Sequence, residues 1–93
     1  MAKIGSWNMA EMKGVNLPQK AQSAFTSVTE SLVGAKYEPV LYVGKQIVNG
    51  MNYCILASQQ ILVPNAELRL VKMIIHVSLE GTASIVSISG IEL

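Results

Sequence analysis

The chain has 93 residues, of which 51% are hydrophobic and 14% are charged, and its mean hydropathy is +0.40. This length supports one domain with a single modest core and is too short for two. The formal net charge is +1 and the seven basic residues are scattered, so charge gives no basis for binding nucleic acid or an anionic membrane. The high apolar fraction indicates an exposed apolar patch or self-association.

Cysteine usage and the N-terminal residues bear on the cellular compartment. Cys54 is the single cysteine, so an internal disulfide is excluded. No apolar run approaches the roughly 18 residues that a membrane span needs, and the first seven residues contain no long apolar core of a signal peptide. These features favour a reducing, cytoplasmic location, with a processed precursor as the alternative.

The first predicted element is a helix. Residues 1–15 show no clean period, and we expect a flexible, partly extended N-terminal segment. Asn16 can cap the start of a helix and Pro18 suits a first turn. Apolar residues then recur at steps of three and four, at Ala21, Ala24, Phe25, Val28 and Leu32. With Gly34 as the stop signal, the pattern predicts one amphipathic helix over about residues 17–33.

After the helix the apolar period changes to two, which is typical of strands. The pattern predicts strands at residues 37–48, 51–61, 68–79 and 83–91. Asn49-Gly50 is a strong hairpin signal because both residues tolerate positive φ. The sequence therefore predicts a single α+β domain over residues 1–93, with one N-terminal α-helix packed across a four-stranded antiparallel β-sheet.

Residues suited to catalysis are sparse. The chain contains no Asp, which excludes a Ser-His-Asp triad. His76 alternates with Ile75 and Val77, and we expect it to face solvent. Cys54 is expected to be a small residue of the sheet, and a Cys54–His76 dyad is the less favoured alternative. One His, one Cys and six separated Glu do not suggest a metal site. We therefore expect a protein that is not an enzyme and that requires no cofactor or metal.

One segment resembles a known inhibitory motif. Residues 46–53 read Q-x-V-x-G followed by x-N-Y. This pattern is similar to the first hairpin loop of the cystatins, the inhibitors of papain-like cysteine proteases. Two further segments, Tyr37-Glu38-Pro39-Val40 and Ser78-Leu79, resemble the stefin-like branch of that family, which lacks disulfides and a leader. The resemblance extends from about Leu17 to Leu79 and implies the cystatin-like fold.

The resemblance implies a reversible, competitive inhibitor that binds a papain-like cysteine protease and blocks its active-site cleft with three elements. Ile4 would enter an apolar pocket of the cleft, and Gly5 would let the chain turn away from the nucleophile, with Gly14 as a weaker candidate for this pivot. The first loop would cover the catalytic centre, and the second loop would brace the far side. The residues of these two loops are Gln46, Ile47, Val48, Asn49, Gly50, Leu79, Glu80 and Gly81.

Several questions stay open at this stage. Many cystatins carry a Pro-Trp pair on the second loop, which is absent here, although a Leu-containing loop such as that at Leu79 serves the stefins. Trp7 is expected to be either an exposed contact residue or a lid over the sheet, and Met51 at the hairpin tip is expected to be exposed. The resemblance also implies a monomer that can form a domain-swapped dimer through the first loop.

Two other functional classes are considered beside the inhibitor. The first is a non-inhibitory cystatin-like module that binds another protein or self-assembles, which the missing Pro-Trp pair and the apolar excess favour. The second is a small enzyme or ligand carrier, which would need a cavity lined by His76 and a carboxylate.

Overall fold

The computed structural model describes residues 7–9 and 17–92, and every structural statement below concerns these residues. One helix packs against an antiparallel sheet, as the sequence predicts. The elements are β1 (Trp7–Met9), α1 (Gln19–Glu30), β2 (Ala35–Val48), β3 (Gly50–Ile61), β4 (Leu68–Val77) and β5 (Ala83–Gly90). The strands lie in the order β1-β2-β3-β4-β5, with each pair antiparallel. The four long strands are the predicted ones, and the short strand β1 is an addition to them.

The helix is shorter than predicted at both ends. Pro18 has a ψ of 149°, so it lies in extended backbone just before the first turn rather than within it, and its carbonyl accepts a 2.9 Å hydrogen bond from the Gln22 N–H. The predicted cap, Asn16, lies outside the described residues. At the other end the N–H of Leu32 donates to the carbonyl of Thr29 at 3.1 Å, which tightens the last turn and ends the helix at Glu30.

The core lies between one face of α1 and one face of the sheet. The helix contributes Ala21, Ala24, Phe25 and Val28, all buried, which confirms the predicted stripe apart from the half-buried Leu32. Large side chains of the sheet that are fully buried beneath the helix include Ile55, Val71, Met73 and Ile75. Burial of each of these side chains contributes about 1.5–3 kcal/mol relative to exposure. The apolar contact between α1 and this face of the sheet is therefore the main interaction that holds the helix in place.

The long hairpin of β2 and β3 sets the shape of the molecule. β2 has 14 residues, and a strand of that length extends about 46 Å. This matches the longest dimension of the molecule, 46 Å. The turn that joins β2 to β3 therefore lies at one extreme end of the protein. No described helix is long and apolar enough to cross a membrane.

Candidate functional site

The two turns predicted to form the contact surface lie next to each other at one end of the sheet. The first turn, residues 48–50, joins β2 to β3, and Val48 stands opposite Gly50. The second turn, residues 78–82, joins β4 to β5. Met51 is paired with Val77, so the strand that leaves the first turn is bonded beside the strand that enters the second. The antiparallel register thus places both turns at the same end.

The first turn is closely packed against the neighbouring hairpin. Gly50 has a φ of +109°, a backbone conformation that favours glycine. A Cβ atom built at Gly50 would overlap the carbonyl oxygen of Val77 and would lie 3.0 Å from Cε1 of His76. Asn49, which tolerates positive φ, does not adopt it here, so Gly50 alone supplies the positive-φ residue of this turn.

The second turn is fixed by its own hydrogen bonds. The N–H of Ser78 donates to the carbonyl of Thr82 at 2.9 Å, and the N–H of Gly81 donates to the carbonyl of Ser78 at 2.9 Å. The N–H of Thr82 also donates to the Ser78 hydroxyl at 3.0 Å. Leu79 at the apex is 75% exposed although it is a large apolar residue. This turn therefore holds an apolar side chain in solvent on an ordered backbone.

The predicted site residues differ in how far they are accessible. Asn49, Leu79, Glu80 and Gly81 are exposed, whereas Gln46, Ile47, Val48 and Gly50 are half-buried. Ile4 and Gly5, like Gly14, lie outside the described residues, so the predicted contacts of the N-terminal segment stay predictions.

β1 lies at the edge of the sheet beside β2. Of residues 1–15 the structure describes only Trp7–Met9, and Trp7 stands opposite Gln46 in this pairing. Trp7 is 38% exposed. Because β1 is antiparallel to β2, its first residue is the one nearest to the first turn, so the start of β1 lies at the same end of the sheet as both turns.

A row of polar side chains crosses the face of the sheet opposite the helix. The amide nitrogen of Asn52 donates to Oε1 of Gln46 at 2.9 Å, and Nδ1 of His76 is 2.8 Å from Oδ1 of Asn52. Ile75 is fully buried beneath the helix, which confirms that His76 occupies the opposite face. His76 therefore lies on the predicted face, but it is half-buried and hydrogen-bonded rather than fully exposed to solvent.

Cys54 shows no sign of an activated nucleophile. The thiol is buried, and this burial raises its pKa above the ordinary value, an effect that nearby Lys72 opposes in part. A raised pKa leaves less of the reactive thiolate at neutral pH. The hydrogen-bond partner of His76 is Asn52, which leaves the Cys54–His76 dyad without structural support.

An open groove of about 820 Å³ lies between the start of α1 and the two turns. Lys20 is its one charged lining residue, and neither His76 nor a carboxylate faces it. Met51 lines this groove and also packs against the core, so it is less exposed than we expected for a hairpin tip. Within residues 7–9 and 17–92, no three His, Cys or Glu side chains lie close enough to hold a metal ion. The groove therefore lacks the pairing of His76 with a carboxylate that the small-enzyme alternative requires.

Sequence reasoning missed the connection between Gln46, Asn52 and His76. The signal was present in part, since Gln46 and Asn52 are each three residues from Asn49 and a tight hairpin centred there places them opposite each other. The pairing with His76 needs the register of β4, which no local pattern supplies.

Comparisons of the chain with protein-family models, with curated proteins and with solved structures found no match. The assignment of a function therefore depends on the residues and their geometry.

Proposed function

We propose that the chain is a cystatin-like, stefin-like reversible inhibitor that competes with substrate for the active-site cleft of papain-like cysteine proteases. The observation that carries this proposal is the placement of the two turns side by side at one end of the sheet. The N-terminal segment is proposed as the third contact, because β1 begins beside β2 at that same end. The single, buried Cys54 is compatible with a cytoplasmic, reducing compartment.

The geometry suits a narrow cleft with a reactive centre at its base. Asn49 and Gly50 at the first turn are uncharged and small, and a cleft wall would meet backbone and short side chains there. Cleavage requires a carbonyl within about 3–3.5 Å of the nucleophile in attack geometry. The hairpin holds the backbone of the first turn in place, so it covers the centre without presenting an extended peptide.

Binding is favoured because both turns are ordered beforehand. The strand pairing and the hydrogen bonds of the second turn fix the backbone before contact, which avoids the cost of ordering these two loops on binding. Leu79 supplies an exposed apolar anchor on this rigid support. An interface of ordinary size, about 1,600 Å² in total, is sufficient for such a complex.

Titration of papain with size-selected monomer tests the proposal, with two matched leucine variants as probe and control. Leu79 at the second turn is 75% exposed, and Leu62, in the loop that joins β3 to β4 at the other end of the sheet, is 63% exposed. We expect Leu79→Ala to raise the inhibition constant about tenfold or more and Leu62→Ala to leave it unchanged. Both variants should keep the stability of the original chain. The proposal would be removed if micromolar monomer did not inhibit papain and Gly50→Trp showed the same lack of inhibition as the original chain.

A second candidate is a non-inhibitory module that assembles with itself, and the edge strand β5 favours it. In the described part of the chain β5 pairs only with β4, and residues 82–91 carry no charged side chain. Edge strands are commonly protected by Lys, Pro or a bulge. Among the described residues, β5 itself offers the irregularity opposite Ile74 and Ile75 as such a protection, and Val86 is exposed.

Light scattering on fresh protein separates the two candidates. The inhibitor is expected to be a monomer, with a domain-swapped dimer as an inactive form because opening of the first turn would remove the contact surface. Assembly through β5 predicts a dimer or larger species that Val86→Lys converts to monomer without any gain in papain binding.

A further inference from the structure

We propose that His76 is a positioning residue that braces the first turn against the second hairpin and so fixes the spacing of the two turns. The consequence for protease binding rests on the proposed function, whereas the brace itself does not.

The brace is a continuous chain of side-chain contacts across three strands. Gln46 on β2, Asn52 on β3 and His76 on β4 occupy directly opposite positions in the sheet. The hydrogen bond from Asn52 to Gln46 closes the first hairpin, and the bond between Asn52 and His76 joins that hairpin to the strand that leads into the second turn. Both hairpins are therefore connected through Asn52.

The hydrogen bond between Asn52 and His76 leads to an expectation of which ring nitrogen carries a proton. The NH₂ group of Asn52 donates to Gln46, so the Asn52 atom that faces His76 is a carbonyl oxygen, which only accepts. With the Asn52 amide in this orientation, the contact is a hydrogen bond when Nδ1 of His76 carries a proton. Both the neutral ring with its proton on Nδ1 and the charged ring satisfy this bond, whereas the neutral ring with its proton on Nε2 does not.

The far side of the imidazole lies next to the first turn. A Cβ atom built at Gly50 would lie 3.0 Å from Cε1 and 3.2 Å from Nε2 of His76, so the ring fills the space that a side chain would need. Backbone pairing between β3 and β4 ends at Met51 and Val77. Beyond that pair, the His76 ring and the Val77 carbonyl oxygen occupy the space next to Gly50, while the hydrogen bonds within the second turn fix only the shape of that turn.

Nuclear magnetic resonance on the full chain tests the brace with two variants, which separate the hydrogen bond of His76 from the space that its ring fills. His76→Phe keeps a ring beneath Gly50 but removes the donor, and His76→Asn keeps a donor near the position of Nδ1 but removes the outer part of the ring. We expect the imidazole nitrogen shifts of the original chain to place a proton on Nδ1. Both variants should speed amide exchange at residues 48–51 by about two- to tenfold, the range that corresponds to one lost hydrogen bond or contact.

The core provides the internal control. Ala57 and Val71 are paired across β3 and β4, and their side chains are part of the core. Their backbone amides should exchange at unchanged rates when only the turn is loosened. A neutral ring with its proton on Nε2, or exchange at residues 48–51 that neither variant alters, would overturn the brace. The nitrogen shifts need no variant, so the proposal can be tested even if a substitution prevents folding.

Papain binding separates the brace from the function. We expect each variant that loosens residues 48–51 to weaken inhibition by about the same factor as it speeds exchange. Unchanged inhibition by a loosened variant would overturn the link between spacing and binding. If the original chain does not bind papain, the proposed function fails, while the nitrogen shifts and amide exchange still decide whether His76 braces the turn.

Discussion

Replacement of Gly50 by alanine is the most informative change in the first turn. Gly50 has a φ of +109°, and an added Cβ would overlap the carbonyl oxygen of Val77 and press on the His76 ring. Two separate costs are therefore expected, one from the backbone conformation and one from the collision with the neighbouring hairpin.

Gly34 provides a matched control for the backbone cost. Its φ is +90°, and a Cβ built there meets no atom within 4 Å. Gly34→Ala should therefore carry only the conformational cost, of the order of 1–3 kcal/mol. The loss of flexibility in the unfolded chain is common to both variants and cancels when they are compared.

The collision at Gly50 should add about 1–3 kcal/mol, the usual cost of forcing extra atoms into a packed site. Gly50→Ala is thus expected to lower the free energy of unfolding by about 2–6 kcal/mol in total. Because a domain of this size has a stability of about 5–15 kcal/mol, the variant should remain folded in most of this range.

Urea denaturation followed by circular dichroism measures the difference between the two variants. With a slope of about 1–3 kcal/mol/M in urea for a small protein, the expected gap of about 1–3 kcal/mol places the midpoint of Gly50→Ala roughly 0.3–3 M below that of Gly34→Ala. Equal midpoints would refute the close packing of the first turn against Val77 and His76, on which the fixed geometry of the proposed contact surface depends.

Further predictions concern the interior. Burial raises the pKa of the Cys54 thiol and of the Tyr42 and Tyr53 hydroxyls, so their stabilising effect is complete below the unfolded pKa values and is lost as pH rises through the folded ones. The free energy of unfolding should therefore fall above about pH 9, and urea titrations with constant midpoints from pH 7 to 10 would contradict this. Cys54 should react with a disulfide reagent only as fast as the chain opens, and rapid labelling of the folded protein would disprove its burial. Ile55→Ala, at a fully buried position, should lower stability by about 2–5 kcal/mol in thermal unfolding, and a loss below 1 kcal/mol would count against the core described here.

Local periodicity was sufficient to predict the long elements. The buried stripe of α1 recurs at steps of three and four, the strands alternate, and Asn49-Gly50 marks the hairpin. The predicted ends of α1 were less accurate. Pro18 can precede a helix as well as begin it, and the hydrogen bond to the Thr29 carbonyl closes the last turn early.

Features that depend on contacts between distant segments were not predictable. β1 has three residues, too few for a pattern, and it exists through its pairing with β2. Met51 is half-buried because it packs against the core. The bond between His76 and Asn52 arises from the register of β4 against β3, which is set by the whole sheet.

The central claim is that the two turns form one surface that enters a protease cleft. Hydrogen exchange of the chain, alone and bound to papain whose catalytic cysteine is replaced by serine, tests this most directly. We predict slower exchange at residues 46–50 and 78–82, with no change at residues 62–66 at the opposite end. Unchanged exchange at both turns, or protection confined to residues 62–66, would contradict the claim.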